Sequence, residues 1–91
     1  MSEKWSDIYE AIFYGDEILI DYRGKKYFIQ GWYQNDLFHL EMWEYYKENP
    51  PTLFEADKQT RQECADLFLS AKLFDGKTIK DVLDDVEWVD D

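Results

Sequence analysis

The stretch Glu17-Ile18-Leu19-Ile20-Asp21-Tyr22-Arg23-Gly24-Lys25-Lys26-Tyr27-Phe28-Ile29-Gln30-Gly31-Trp32-Tyr33 continues through Gln34-Asn35-Asp36 into Leu37-Phe38-His39-Leu40-Glu41-Met42-Trp43-Glu44-Tyr45-Tyr46. Its runs are rich in β-branched and aromatic residues, which pack well on a pleated surface. Two dipeptides interrupt them. Arg23-Gly24 holds a glycine able to take positive φ, and Asn35-Asp36 offers turn chemistry at the second junction. The reading is a three-stranded antiparallel meander.

If both dipeptides are two-residue turns, Tyr22 pairs with Lys25 and Gln34 with Leu37, which settles which residues share a face. One face then carries Ile18, Ile20, Tyr22, Tyr27, Ile29, Tyr33, Phe38, Leu40 and Met42, and is expected to lie under helices. The other carries Leu19, Asp21, Phe28, Gln30, Trp32, Leu37, His39, Glu41, Trp43 and Tyr45, the mixture of a half-exposed surface. A three-residue turn in either hairpin would exchange the two sets.

On the N-terminal side, Trp5, Ile8, Tyr9 and Ile12 fall at i, i+3, i+4 and i+7, predicting an amphipathic helix over 3–14 that Gly15 closes. On the other side, Lys47-Glu48-Asn49-Pro50-Pro51-Thr52 removes backbone donors and reads as a joint between a β-rich and an α-rich half. Thr60-Arg61-Gln62-Glu63 matches a capping box ahead of a stripe of Cys64, Leu67, Phe68 and Ala71. Asp75-Gly76 breaks the chain. Thr78-Ile79-Lys80-Asp81 looks like a second, weaker box, and Ile79, Val82, Leu83 and Val86 predict a final helix. The expected fold is α+β: a three-stranded antiparallel meander with helices packed on it, in the order α-β-β-β-α-α, as a single small acidic domain over 1–91.

Composition narrows function. A hydrophobic share of 45% with 4 Trp, 7 Tyr and 6 Phe is too apolar for a disordered chain. A net charge of −11 repels phosphate backbones and anionic lipid and attracts basic partners. Nucleic acid is therefore excluded as a first expectation. The apolar runs are as short as Ile18-Leu19-Ile20 and Leu67-Phe68-Leu69, against roughly 20 residues for a membrane span. Met1 to Asp7 has no basic run leading into an apolar stretch, so no signal peptide is read and a cytoplasmic location is expected. One Cys and one His exclude a disulfide framework and any conventional multi-His or multi-Cys metal site, and no cofactor is expected.

Two surfaces are candidates for binding. The first is the mixed sheet face, with Phe28, Trp32, Trp43 and Tyr45 around His39, Gln30 and Glu41, since exposed aromatic clusters mark interfaces. Against it stands the expectation that the N-terminal helix covers this face and makes it core, and a third arrangement pairs two such faces in a homodimer. The second is the acidic C-terminus, where Asp81, Asp84, Asp85, Glu87, Asp90 and Asp91 occur without a basic residue. Read functionally, it is a docking surface for a basic protein with Trp88 as an apolar anchor and Asp84, Asp85, Glu87 and Asp90 as contacts. Read blandly, it is a solvated helix face that keeps the protein soluble. These carboxylates lack the spacing of a calcium loop.

Other features yield less. His39 and Glu41, two apart on a strand, point the same way and can orient a general base, but no nucleophile or oxyanion donor accompanies them, so no enzyme is expected. Cys64 falls on an apolar stripe and reads as a buried small hydrophobe. Asp75-Gly76-Lys77-Thr78 is no phosphate-binding loop, because Ala71 stands where its first glycine belongs. Arg23, Lys25 and Lys26 form an ordinary hairpin tip.

In size, charge and aromatic content the chain resembles bacterial immunity proteins and nucleic-acid mimics, which occupy basic nuclease sites. That resemblance implies a basic protein partner. The expected function is a non-enzymatic protein–protein interaction module of immunity or inhibitor type. The alternative is a small-ligand or peptide binder, or a homodimer, using the aromatic face of Phe28, Trp32, Trp43 and Tyr45 with His39.

Overall fold

A computed structural model describes residues 3–45 and 48–89. Helix α1, Glu3–Tyr14, forms where the apolar stripe placed it and buries Trp5, Ile8, Ala11 and Ile12. It ends in a Schellman motif: Gly15 takes φ +73°, its amide reaches the Ile12 carbonyl at 3.3 Å, and the Asp16 amide reaches the Ala11 carbonyl at 2.9 Å. Strands β1 (Ile18–Tyr22), β2 (Lys25–Gln34) and β3 (Leu37–Glu44) follow as the expected meander. Both central residues of each turn have positive φ, at Arg23 (53°) and Gly24 (88°) and at Asn35 (54°) and Asp36 (64°). That is the turn whose twist matches paired strands, and it requires two residues. Tyr22 accordingly pairs with Lys25 and Gln34 with Leu37.

The sheet is larger than a three-stranded meander. Thr52–Lys58 forms β4 beside β3, and Val86–Trp88 forms β5 beside β1, giving an antiparallel order β4-β3-β2-β1-β5. The proline joint thus connects two paired strands and does not divide a β half from an α half. It is compatible with pairing because Pro50 and Pro51 precede β4, which is an edge strand. Phe54 and Ala56 extend the apolar face opposite Met42 and Leu40.

Helix α2, Arg61–Ser70, has the expected capping box, with the Glu63 amide donating to Thr60 Oγ1 at 3.1 Å and the Thr60 amide donating to Glu63 Oε2 at 3.3 Å. Cys64, Ala65 and Phe68 are its buried residues. The predicted final helix is absent from the described residues. Thr78 and Asp81 do bond each other's amides as a box, but the chain goes on through turns and a short 3-10 helix, Leu83–Asp85, into β5. The observed order is α-β-β-β-β-α-β in place of α-β-β-β-α-α.

Both helices pack on one face of the sheet. Trp5, Ile8 and Ile12 of α1 and Cys64, Ala65 and Phe68 of α2 share a core with Ile18, Ile20, Tyr22, Tyr27, Ile29, Phe38, Leu40 and Met42. Phe74, Ile79, Val82 and Val86 from the C-terminal segment close the same core. Phe74 stands edge-on to Tyr22 and Tyr27, with ring centroids 5.5 and 5.4 Å away. Among the described residues, no helix is long and apolar enough to cross a membrane.

Candidate functional site

With both helices on one side, α1 does not cover the mixed face, and of the two arrangements weighed from the sequence the one that buries this face under α1 does not occur. The apolar stripe of α1 has a better partner in the continuous apolar face opposite. Neither helix covers the outer face, and cross-strand register arranges it in rows. One row runs Leu19, Phe28, Trp43. The next runs Gln30, Glu41, Glu55. A third runs Trp32, His39, Asp57.

The first row is aromatic. Phe28 and Trp43 have ring centroids 4.9 Å apart, and Tyr45, just beyond β3, lies 6.1 Å from Phe28 and 6.0 Å from Trp43. Trp32, 38% exposed, lies across the face with its ring 4.7 Å from that of His39, and its indole N–H donates to Gln34 Oε1 at 2.9 Å. The five residues expected on this face, Phe28, Trp32, His39, Trp43 and Tyr45, are thus brought together on one side of the sheet.

Between the aromatic groups lies a polar network centred on Glu41. Its Oε2 accepts from Gln30 Nε2 at 2.8 Å and from the Trp43 indole N–H at 3.2 Å. Its Oε1 lies 2.9 Å from His39 Nε2, and His39 Nδ1 lies 2.8 Å from Asp57 Oδ1 on the next strand. A ring with a carboxylate at each nitrogen is satisfied as the imidazolium, which donates from both. Burial pushes His39 toward losing its proton, but the hydrogen bonds to Glu41 and Asp57 and the charges of both carboxylates outweigh it, so the ring titrates above its ordinary value. Burial likewise pushes the Glu41 carboxyl up, and the hydrogen bonds from Gln30, His39 and Trp43 with the charge of His39 hold it below its ordinary value.

Glu55 and Asp57 were missed by sequence reasoning because β4 was not expected. A signal existed in the alternation of Phe54 and Ala56 with Glu55 and Asp57, but it spans only a few residues beside two prolines. With them the outer face carries the carboxylates of Asp21, Glu41, Glu55, Asp57 and Glu87 against Lys26 and His39. Lys26 is paired with Asp21 at 2.9 Å.

The C-terminal candidates are arranged differently from the expected helix face. Asp84 and Asp85 lie in the 3-10 helix, and Asp85 approaches Arg23 at 3.5 Å in an exposed pair. Glu87 sits on the outer face opposite Asp21, whereas Trp88, 42% exposed, sits on the helix side opposite Ile20. Strand alternation thus separates two residues expected to act together. Asp90 lies outside the described residues. Cys64 is buried, as expected, with its thiol 3.1 Å from the Phe38 carbonyl.

Comparison with known proteins finds no matching family model, no matching curated protein and no matching solved structure.

Proposed function

We propose that the protein is a non-enzymatic interaction module that docks a basic segment of a partner protein on its open sheet face. The observation that carries this reading is the sheet face that neither helix covers, on which a half-buried aromatic row borders carboxylates in excess of cations. An arginine or lysine side chain has two complementary surfaces there. Its charge can meet Glu41, Glu55 and Asp57, and its plane or stem can lie on Trp43, Phe28 or Trp32. The surplus of carboxylates also disfavours pairing of this face with its own copy, since like charges would be brought together. As arranged, both nitrogens of His39 are engaged by carboxylates, which fix the ring's orientation.

The test is a titration with arginine-containing peptides, in chelator, followed by tryptophan fluorescence. Binding should weaken as salt rises through the range where the Debye length falls below about 10 Å. Trp43→Ala and Asp57→Lys should each weaken it by about 10-fold or more, as expected for interface anchors. Affinity unchanged in both variants, or a response to uncharged peptides alone, would remove the reading. Asp84→Asn/Asp85→Asn reports separately on the C-terminal carboxylates.

A further inference from the structure

Glu41 and Glu55 are directly opposed across the β3–β4 pair. Like charges in that relation are destabilising, and the cation adjoining them is His39, which Asp57 also engages. The patch therefore holds three carboxylates against one imidazolium, a local excess of negative charge that a divalent cation would neutralise.

Three donors there are gathered as a metal site requires. One ligand atom each from His39, Glu41 and Glu55 lie within 4.8 Å of one another. Ligand atoms around an ion at about 2.0–2.2 Å are separated by roughly 3–4 Å, so the set would need small side-chain adjustments, for which Glu55 is exposed. The orientation of the other two is already provided by groups that would not touch the ion. Asp57 holds Nδ1 of His39, which directs Nε2 toward Glu41. Gln30 and the Trp43 indole hold Oε2 of Glu41, which leaves Oε1 for the ion. A carboxylate behind the histidine and donors behind the ligating carboxylate are the usual outer partners of metal ligands. The His39 side chain is only 12% exposed and that of Glu41 17%, so both are held in place by their surroundings.

We propose that His39 Nε2, Glu41 and Glu55 form a binding site for a divalent transition-metal ion of the zinc type. One imidazole with two carboxylates suits zinc or manganese better than magnesium or calcium, which favour all-oxygen sets. As the ion bonds to Nε2, the proton on that nitrogen passes to solvent, and water fills the remaining coordination positions. The ion would join β3 to the edge strand β4. It would also reduce the negative charge available to a basic partner, so its binding is measured without peptide and stands apart from the docking reading.

The experiment is a calorimetric titration of the tag-free, chelator-treated and dialysed protein with zinc chloride, with magnesium chloride as comparison. Zinc is expected to bind saturably with one ion per chain and to raise the melting temperature, and magnesium to do neither. Glu55→Gln, at an exposed edge position, should weaken zinc by about 10-fold or more. Asp57→Asn, which alters the hydrogen bond to the outer nitrogen of His39 and removes no proposed ligand, should cost about 10–100-fold. Asp84→Asn/Asp85→Asn should leave the affinity unchanged. No saturable zinc binding up to about 1 mM, or equal affinity in wild type and Glu55→Gln, would overturn the proposal. So would loss of binding in the Asp84/Asp85 variant alone.

Discussion

The amide of Gly31 donates to the carbonyl of Gly15 at 3.1 Å, which seats the end of α1 against the middle of β2. The approach leaves no room for a side chain. A Cβ at Gly31 would meet the His39 carbonyl oxygen at 2.8 Å, Phe38 Cζ at 2.9 Å and Gly15 Cα at 3.2 Å. Two of these are backbone atoms, so relief requires moving β3 or the α1 terminus. Gly31→Ala should therefore destabilise the fold by about 1–3 kcal/mol, read from the urea midpoint. A midpoint equal to wild type would show that the junction is not close-packed.

Stability should have a pH optimum set in part by the Asp57–His39–Glu41 array. His39 binds its proton more tightly folded than unfolded, so its contribution is full below about pH 6.5 and is lost as pH rises through its raised folded pKa. Glu41 has the opposite sense: its contribution is present above the ordinary carboxylate pKa and is lost as pH falls through its lowered folded value. Asp57 and Glu41 face the ring from β4 and β3, and Glu55 lies beside Glu41. In chelator, urea midpoints of wild type and His39→Gln should converge as pH rises. Parallel curves at every pH would show that His39 carries no linked proton.

Phe74 is the fastener of the irregular C-terminal segment. It is fully buried between Tyr22 and Tyr27, and its backbone bonds Lys77 in both directions at 3.0 Å around a turn at Asp75 and Gly76. Phe74→Ala should cost about 3–5 kcal/mol. Hydrogen exchange should show the loss of protection concentrated in 74–89 and along β1. A cost below about 1 kcal/mol would mean the segment is held by Ile79, Val82, Val86 and the β1–β5 pairing without Phe74.

Cys64 should be silent toward thiol reagents in the native state. It is fully buried in α2 with its thiol against the Phe38 carbonyl, and burial pushes its pKa up. Labelling by a disulfide reagent should be complete in denaturant and, in buffer, should slow in step with increasing stability. Rapid native labelling would show that α2 opens locally from the sheet.

The parts of the fold that could be read from the chain are those governed by neighbours in sequence. The stripe of Trp5, Ile8 and Ile12 with Gly15 defines α1, the two turn dipeptides define the register of β1 to β3, and Thr60 with Glu63 defines the start of α2. Each of these is a local pattern whose alternatives are sterically or electrostatically worse. The C-terminal segment is governed by contacts distant in sequence. Ile79, Val82 and Val86 are spaced as on a helix, and the Thr78–Asp81 box forms. Yet a helix of that length is marginal in isolation, and Asp84, Asp85 and Glu87 near its end would oppose its dipole. Pairing with the free edge of β1 satisfies the backbone instead, as the Val89 amide does with the Leu19 carbonyl at 3.0 Å.

The candidate site divides in the same way. Strand alternation in Phe28, Gln30, Trp32, His39, Glu41 and Trp43 determines, from sequence alone, that these residues share a face. Whether a helix covers that face was beyond sequence, because the stripe of α1 fits either side of an antiparallel sheet and only the competition between an apolar and a mixed surface selects one. The partners Glu55 and Asp57 were also decided by tertiary structure. They reach Glu41 and His39 through pairing between distant strands, whose register depends on how the chain returns after the prolines and not on any pattern within five or six residues of it.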